Sequence, residues 1–151
     1  MNRRRGGGRN KSSKIGEKQV IVVVDTNVIV SALIKPFSDS SKILNLILSG
    51  KIKLAYDFRI LSEYEEVLRR KKFNFNPEYI EAIITQIRED GINIDSIPSK
   101  KSLPDKDNTP FLEVALTKKN AVIVTGNKKH FPYKQCKSIK ILSPSEFLKE
   151  L

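Results

Sequence analysis

The sequence predicts an α/β fold, a parallel sheet covered by helices. Three observations carry this. Short β-branched runs alternate with amphipathic stretches, the order expected when each strand is followed by a helix that crosses back over the sheet. The strongest run, VIVVV, is apolar at every position, as a strand covered on both faces must be. Helix start and stop signals then fall between the runs. At 151 residues the chain fits one domain with a single core.

The elements follow in order. VIVVVDTNVIV opens the body with a strand at 20–24, breaks at Asp25-Thr26-Asn27, and resumes as the buried face of a helix at 27–34. A second helix at 39–49 stops at Gly50, and IKLA gives a strand at 52–55. Helical periodicity returns at 58–70 and 77–89, the latter ending at Gly91, before a short strand at 92–94. Thr109-Pro110 reads as an N-cap with proline in the first helical position, starting a helix at 110–119. Strands at 121–124 and 139–142 follow, and Ser143-Pro144-Ser145-Glu146 is a capping box that starts a last helix at 144–150. No internal repeat appears, so residues 19–151 are expected to form one unit.

Composition narrows the function classes. With 39% hydrophobic and 30% charged residues the chain is of the soluble globular type, and its apolar stretches fall far short of the ~20 residues of a membrane span. No membrane association is expected. Residues 1–18 lack the apolar core of a secretory signal, and the single Cys136 cannot form an internal disulfide; both agree with a cytoplasmic protein. The net charge is +11, of which +6 lies in residues 1–18, read as a disordered basic tail. A basic domain with a basic arm favours a polyanionic partner.

Candidate site residues gather where parallel sheets place them, just beyond the carboxyl ends of strands. Asp25 is the first residue after a buried strand; Asp, Thr and Asn also cap helices well, so capping alone would explain it. In RILSEYEEVLRRKKF the apolar arc of Ile60, Leu61, Tyr64, Val67 and Leu68 is bordered by Glu63 on one side and Glu65 on the other, while Glu66 points away. Periodicity does not choose between Glu63 and Glu65. LPDKDNTPFLEVAL crowds Asp105, Asp107 and Asn108 before a helix start. A helix N-terminus tolerates acids, but two carboxylates and an amide in four residues exceed one cap, and a divalent cation such as Mg²⁺ or Mn²⁺ would relieve their repulsion. AVIVTGNKKHFP ends another strand in Thr125, Gly126 and Asn127, which either position a water or a carboxylate or make a turn with glycine at positive φ. His130, the only histidine, has no second histidine and only one cysteine with which to build a zinc site, and is read as structural.

Other chemistries lack their residues. There is no G-x-x-x-x-G-K-[ST] or G-x-G-x-x-G phosphate loop and no G-x-S-x-G elbow. A phospho-accepting aspartate of the haloacid-dehalogenase type would want a second Asp two residues after Asp25, where Asn27 stands.

Taken together, VVDTNVIVSAL, ILSEYEEVLRRKKF, DKDNTPFLEVAL and VTGNKKHFP resemble the PIN-domain family over about residues 20–148, most closely the VapC-like group described as toxin components of toxin-antitoxin systems. The resemblance implies a Rossmann-like, three-layer α/β/α sandwich and metal-dependent hydrolysis of RNA. It selects Glu63 over Glu65 as the acid of the second motif and places Asp25, Glu63 and Asp107, with Asp105 in support, around one or two Mg²⁺ or Mn²⁺ ions. A water acidified by the cation would attack phosphorus. Thr26, Asn27, Asn108, Thr125 and Asn127 would orient water or ligands. Relatives often carry two adjacent acids ahead of PFLE, whereas this chain reads Asp107-Asn108. Lys128, Lys129, Arg69, Arg70, Lys71 and Lys72 are candidates for contact with the RNA backbone. Implied partners are RNA, a cognate antitoxin protein and, as often in the family, a second copy of the chain. The alternative reading is a weakened PIN-like module that grips RNA or a protein without cutting.

Overall fold

A computed structural model describes residues 19–151; the basic tail expected at 1–18 lies outside the described residues. Five strands form one parallel sheet in the order β3-β2-β1-β4-β5, with β1 Ile21–Val24, β2 Lys53–Tyr56, β3 Ile92–Asn93, β4 Ala121–Val124 and β5 Lys140–Leu142. Successive side chains of a strand point to opposite faces, and Val22, Val23 and Val24 are all fully buried, so both faces of the sheet are covered. The covering helices are α1 Thr26–Ile34, α2 Asp39–Leu48, α3 Phe58–Leu68, α4 Pro77–Asp90, α5 Thr109–Thr117 and α6 Pro144–Glu150. This is the expected α/β/α sandwich.

Local chemistry sets the element ends. Ser38, Asp57 and Asn76 each accept a backbone N–H at the start of α2, α3 and α4. At α6 the capping box closes in both directions, from Glu146 N to Ser143 Oγ at 3.2 Å and from Ser143 N to Glu146 Oε1 at 2.9 Å. Gly50 follows α2 at φ +80, a conformation that suits glycine. Gly91 is required by proximity: a Cβ there would stand 2.5 Å from the Ile87 carbonyl oxygen and 2.8 Å from that of Leu54. Along α4, Ile80, Ile83, Ile84 and Ile87 repeat at helical spacing and are all buried.

Several expectations need correction. Most bounds move by one or two residues, because helix ends fray into tighter turns; Ile52 and Ile139 precede β2 and β5, and α3 and α5 stop at Leu68 and Thr117. Thr109 is the first residue of α5 instead of its cap, since a 3₁₀ turn at Lys106–Asn108 runs straight into the helix and leaves Asn108 in the cap position. Gly126 does not take positive φ. Among the described residues no helix is long and apolar enough to cross a membrane.

Candidate metal and phosphate site

The sheet order fixes where a cleft can open. From β1 the chain first moves out to β2 and β3, then returns to pair β4 with the other side of β1. The carboxyl ends of β1 and β4 therefore flank the point where the strand order reverses, the usual ligand crevice of open parallel sheets. Asp25 and Thr125 are the residues that leave those two ends.

Asp25 occupies the N-cap of α1 but its side chain makes no capping bond. Its Oδ2 instead accepts the Thr125 hydroxyl at 2.7 Å and lies 2.9 Å from His130 Nδ1. Thr125 Oγ1 itself accepts the Asn127 backbone N–H at 3.1 Å, which leaves its hydroxyl proton for Asp25. Asp25 is 3% exposed and Thr125 is fully buried, so the aspartate is held from behind and lines the cleft.

Glu63 comes from the middle of α3. Thr26, the first residue of α1, donates its hydroxyl to Glu63 Oε2. Burial pushes the Glu63 carboxyl above the usual range, the Thr26 bond opposes this, and the negative charges of Asp25, Asp107 and Glu66 raise it further. The next residue, Tyr64, is fully buried and donates its hydroxyl to the Val24 carbonyl at 2.5 Å, tying α3 to the residue before Asp25. Glu65 turns outward to Arg69, and of the two only Glu63 lines the cleft.

Asp105, Asp107 and Asn108 complete an open cleft of about 650 Å³ with Asp25, Thr26, Asn27, Glu63 and His130. Asp105 spends one oxygen on the Asp107 backbone N–H at 2.9 Å, the capping role that an acid at a turn start would be given by default. The Asp107 side chain enters no ion pair or hydrogen bond among the described residues. Asn108 is 7% exposed with its Nδ2 unpartnered.

Some candidates go elsewhere. Asn127 uses its Oδ1 to cap a 3₁₀ turn at Lys128–His130 and does not line the cleft. Of the cations proposed for the RNA backbone, Lys128 is paired with Glu146 at 2.6 Å, Arg69 with Glu65 and Glu81, and Arg70 with Glu66. Arg70 and Glu66 still stand at the cleft rim, with Glu66 exposed and turned from the apolar arc of α3. His130, read as structural, lines the cleft. It and Arg59, which also lines the cleft, were missed; a lone histidine in a three-residue turn and an arginine at a helix start carry no pattern.

The family model described as PIN domain matches residues 21–129. The chain belongs to the PIN-domain family. An uncharacterized protein of Methanocaldococcus jannaschii is 31% identical over 148 residues, covering 91% of this chain and 95% of the relative. Among solved structures, VapBC2 from Rickettsia felis bound to a DNA fragment from its promoter superposes with a TM-score of 0.54 at 19% identity, covering 82% of this chain and 98% of that one. At that identity the likeness concerns the fold. PIN domains are generally nucleases, and this PIN domain has the expected sandwich with Asp25 at its switch point.

The donor set suits a hard cation. Asp25, Glu63 and Asp107 are three carboxylates of one cleft with no Lys or Arg ion pair among the described residues, and their mutual repulsion is felt at Glu63. Among the described residues no three acidic, histidine or cysteine side chains converge closely enough to clasp an ion. Mg²⁺ keeps several of its waters and is commonly held by one or two carboxylates, so an open acidic cleft fits it better than it fits an ion needing a closed cage.

Proposed function

We propose that this PIN domain is a Mg²⁺- or Mn²⁺-dependent endoribonuclease, the toxin of a toxin-antitoxin pair, acting in the cytoplasm. The observation that carries the reading is the Asp25 carboxylate: it sits at a helix start without capping it and is held by Thr125 and His130 toward a cleft shared with Glu63 and Asp107. Asp25, Glu63 and Asp107 would hold the ion, with Asp105 in support. Bound there, the ion would supply an acidified water for attack on phosphorus and offset charge on the leaving oxygen. The Thr125 hydroxyl aims Asp25, and the Thr26 hydroxyl aims Glu63 and opposes the burial that raises its pKa. Asn108, its Nδ2 unpartnered, and Asn27 line the same cleft. Lys129 and Arg70 are the cations nearest to a backbone role.

An antitoxin partner is supported by the fold neighbour, described as a VapBC2 assembly. A homodimer rests on the family resemblance alone. The second reading is a domain that grips RNA without cutting it, supported by Asn108 standing beside Asp107 in the cleft where relatives often carry a second acid.

The test is cleavage of a labelled single-stranded RNA with Mn²⁺ or Mg²⁺, with chelator, and with Asp25→Asn. Metal-dependent cleavage lost in the variant supports the nuclease; binding without cleavage in either metal replaces it with the second reading.

A further inference from the structure

A second pocket, of about 530 Å³, opens beside the cleft between the start of α3 and the chain leaving β3. Its volume lies within the ~300–1,000 Å³ of small-ligand sites. Arg59 lines both cavities and forms the wall between them. Its guanidinium is fixed by Asp57 at 2.6 and 2.9 Å, Glu113 at 2.8 Å and Ser96 at 3.0 Å, which commits four of its five N–H groups. The partition is therefore rigid. At the pocket mouth Phe58 is 80% exposed, an aromatic face left in water in the first turn of a helix. Asn93 and Asp95, both exposed, stand on the same pocket, and Asp95 enters no ion pair among the described residues.

We propose that this pocket takes the nucleobase next to the scissile phosphate, stacked on Phe58, and that Asp95 and Asn93 select guanine. This rests on the nuclease reading of the neighbouring cleft. An exposed aromatic beside polar side chains is how proteins hold splayed single-stranded bases, with the ring on the base face and the polar groups on the Watson–Crick edge. The two other carboxylates of the pocket, Asp57 and Glu113, are consumed by Arg59, so Asp95 supplies the accepting charge. An ionised carboxylate only accepts, and guanine presents two adjacent N–H donors, N1–H and N2–H, on that edge.

Two measurements test this. A single-stranded RNA of randomised sequence is cut with Mn²⁺ by the unaltered protein, Phe58→Ala and Asp95→Asn, and the new ends are sequenced. Guanine enrichment at one position beside the cut, falling about tenfold in both variants while total cleavage is retained, supports the subsite. The same nucleotide profile in all three proteins overturns it and leaves the nuclease reading intact. Should no RNA be cut, binding still decides: the chain contains no tryptophan, so Phe58→Trp makes a single fluorescent reporter. Quenching by the trinucleotide UGU well beyond UAU, UCU and UUU supports the subsite; equal quenching, or none, overturns it.

Discussion

Replacing Tyr64 with phenylalanine removes one oxygen and isolates one bond. The ring is fully buried and packs 6.4 Å, centroid to centroid, from Phe111, so its volume and apolar contacts are kept. What is lost is the donor to the Val24 carbonyl, at the residue where β1 ends and Asp25 begins. A buried acceptor left without its partner costs about 1–3 kcal/mol. Urea denaturation followed by circular dichroism reads that loss as a lower midpoint at an unchanged slope. The pH dependence supplies an independent check. Burial, together with the charges of Asp25 and Glu63, holds the Tyr64 phenol well above 10.0, so the folded chain keeps its proton where the unfolded chain releases it. The stability that comes from burying a neutral phenol beside these carboxylates is thus fully present below pH 10 and is lost as pH rises above it. Tyr64→Phe should lack that alkaline component. A variant as stable as the parent, with the same alkaline limb, would refute the claim that this hydroxyl ties α3 to the end of β1.

Further outcomes are expected. Thr125→Val keeps shape and removes the donor to Asp25; Mn²⁺ affinity, measured by titrating thermal stability, should fall about 10- to 100-fold. Mn²⁺ at one hundred times its dissociation constant should stabilise the folded chain by about 2.7 kcal/mol, and equal stabilisation of Asp25→Asn would remove Asp25 from the ligand set. Glu146, paired with Lys128 and bonded to the Ser143 N–H, has its pKa lowered from 4.5 to about 2. Its contribution is present above pH 4.5 and lost as pH falls through about 2, so an acid titration by circular dichroism should show that component in the parent and not in Glu146→Gln.

Much of the fold is legible because the signals are local. The β-branched runs at β1 and β4 are buried on both faces, so every position is apolar and the strand cannot be mistaken for an amphipathic one. The cap at α6 and the stops at Gly50 and Gly91 depend on neighbours within a few residues. The 3₁₀ turns at Lys106–Asn108 and Lys128–His130 were not legible, since three residues carry no periodicity. At the site, residue types were readable and directions were not. Asp25 fits a cap by position, and only its contacts with residues far along the chain show the side chain turned elsewhere. Glu63 and Glu65 border the same apolar arc from opposite sides, and which one meets Thr26 is decided by how α3 lies against α1. Lys128, Arg69 and Arg70 looked like an available basic face, yet their carboxylate partners sit on the preceding turn of α3, on α4 or on α6.

The bond from Thr125 to Asp25 spans 100 residues and that from His130 spans 105. Both wait on β4 docking beside β1, a non-local pairing whose chain-closure entropy must be met before the contact forms. During synthesis the amino-terminal half emerges first, with Asp25 at the end of a strand whose second edge is still open. The cleft is therefore completed late: a nascent or prematurely ended chain that stops between residues 108 and 120 carries Asp25, Glu63 and Asp107 and still lacks the groups that aim the first of them.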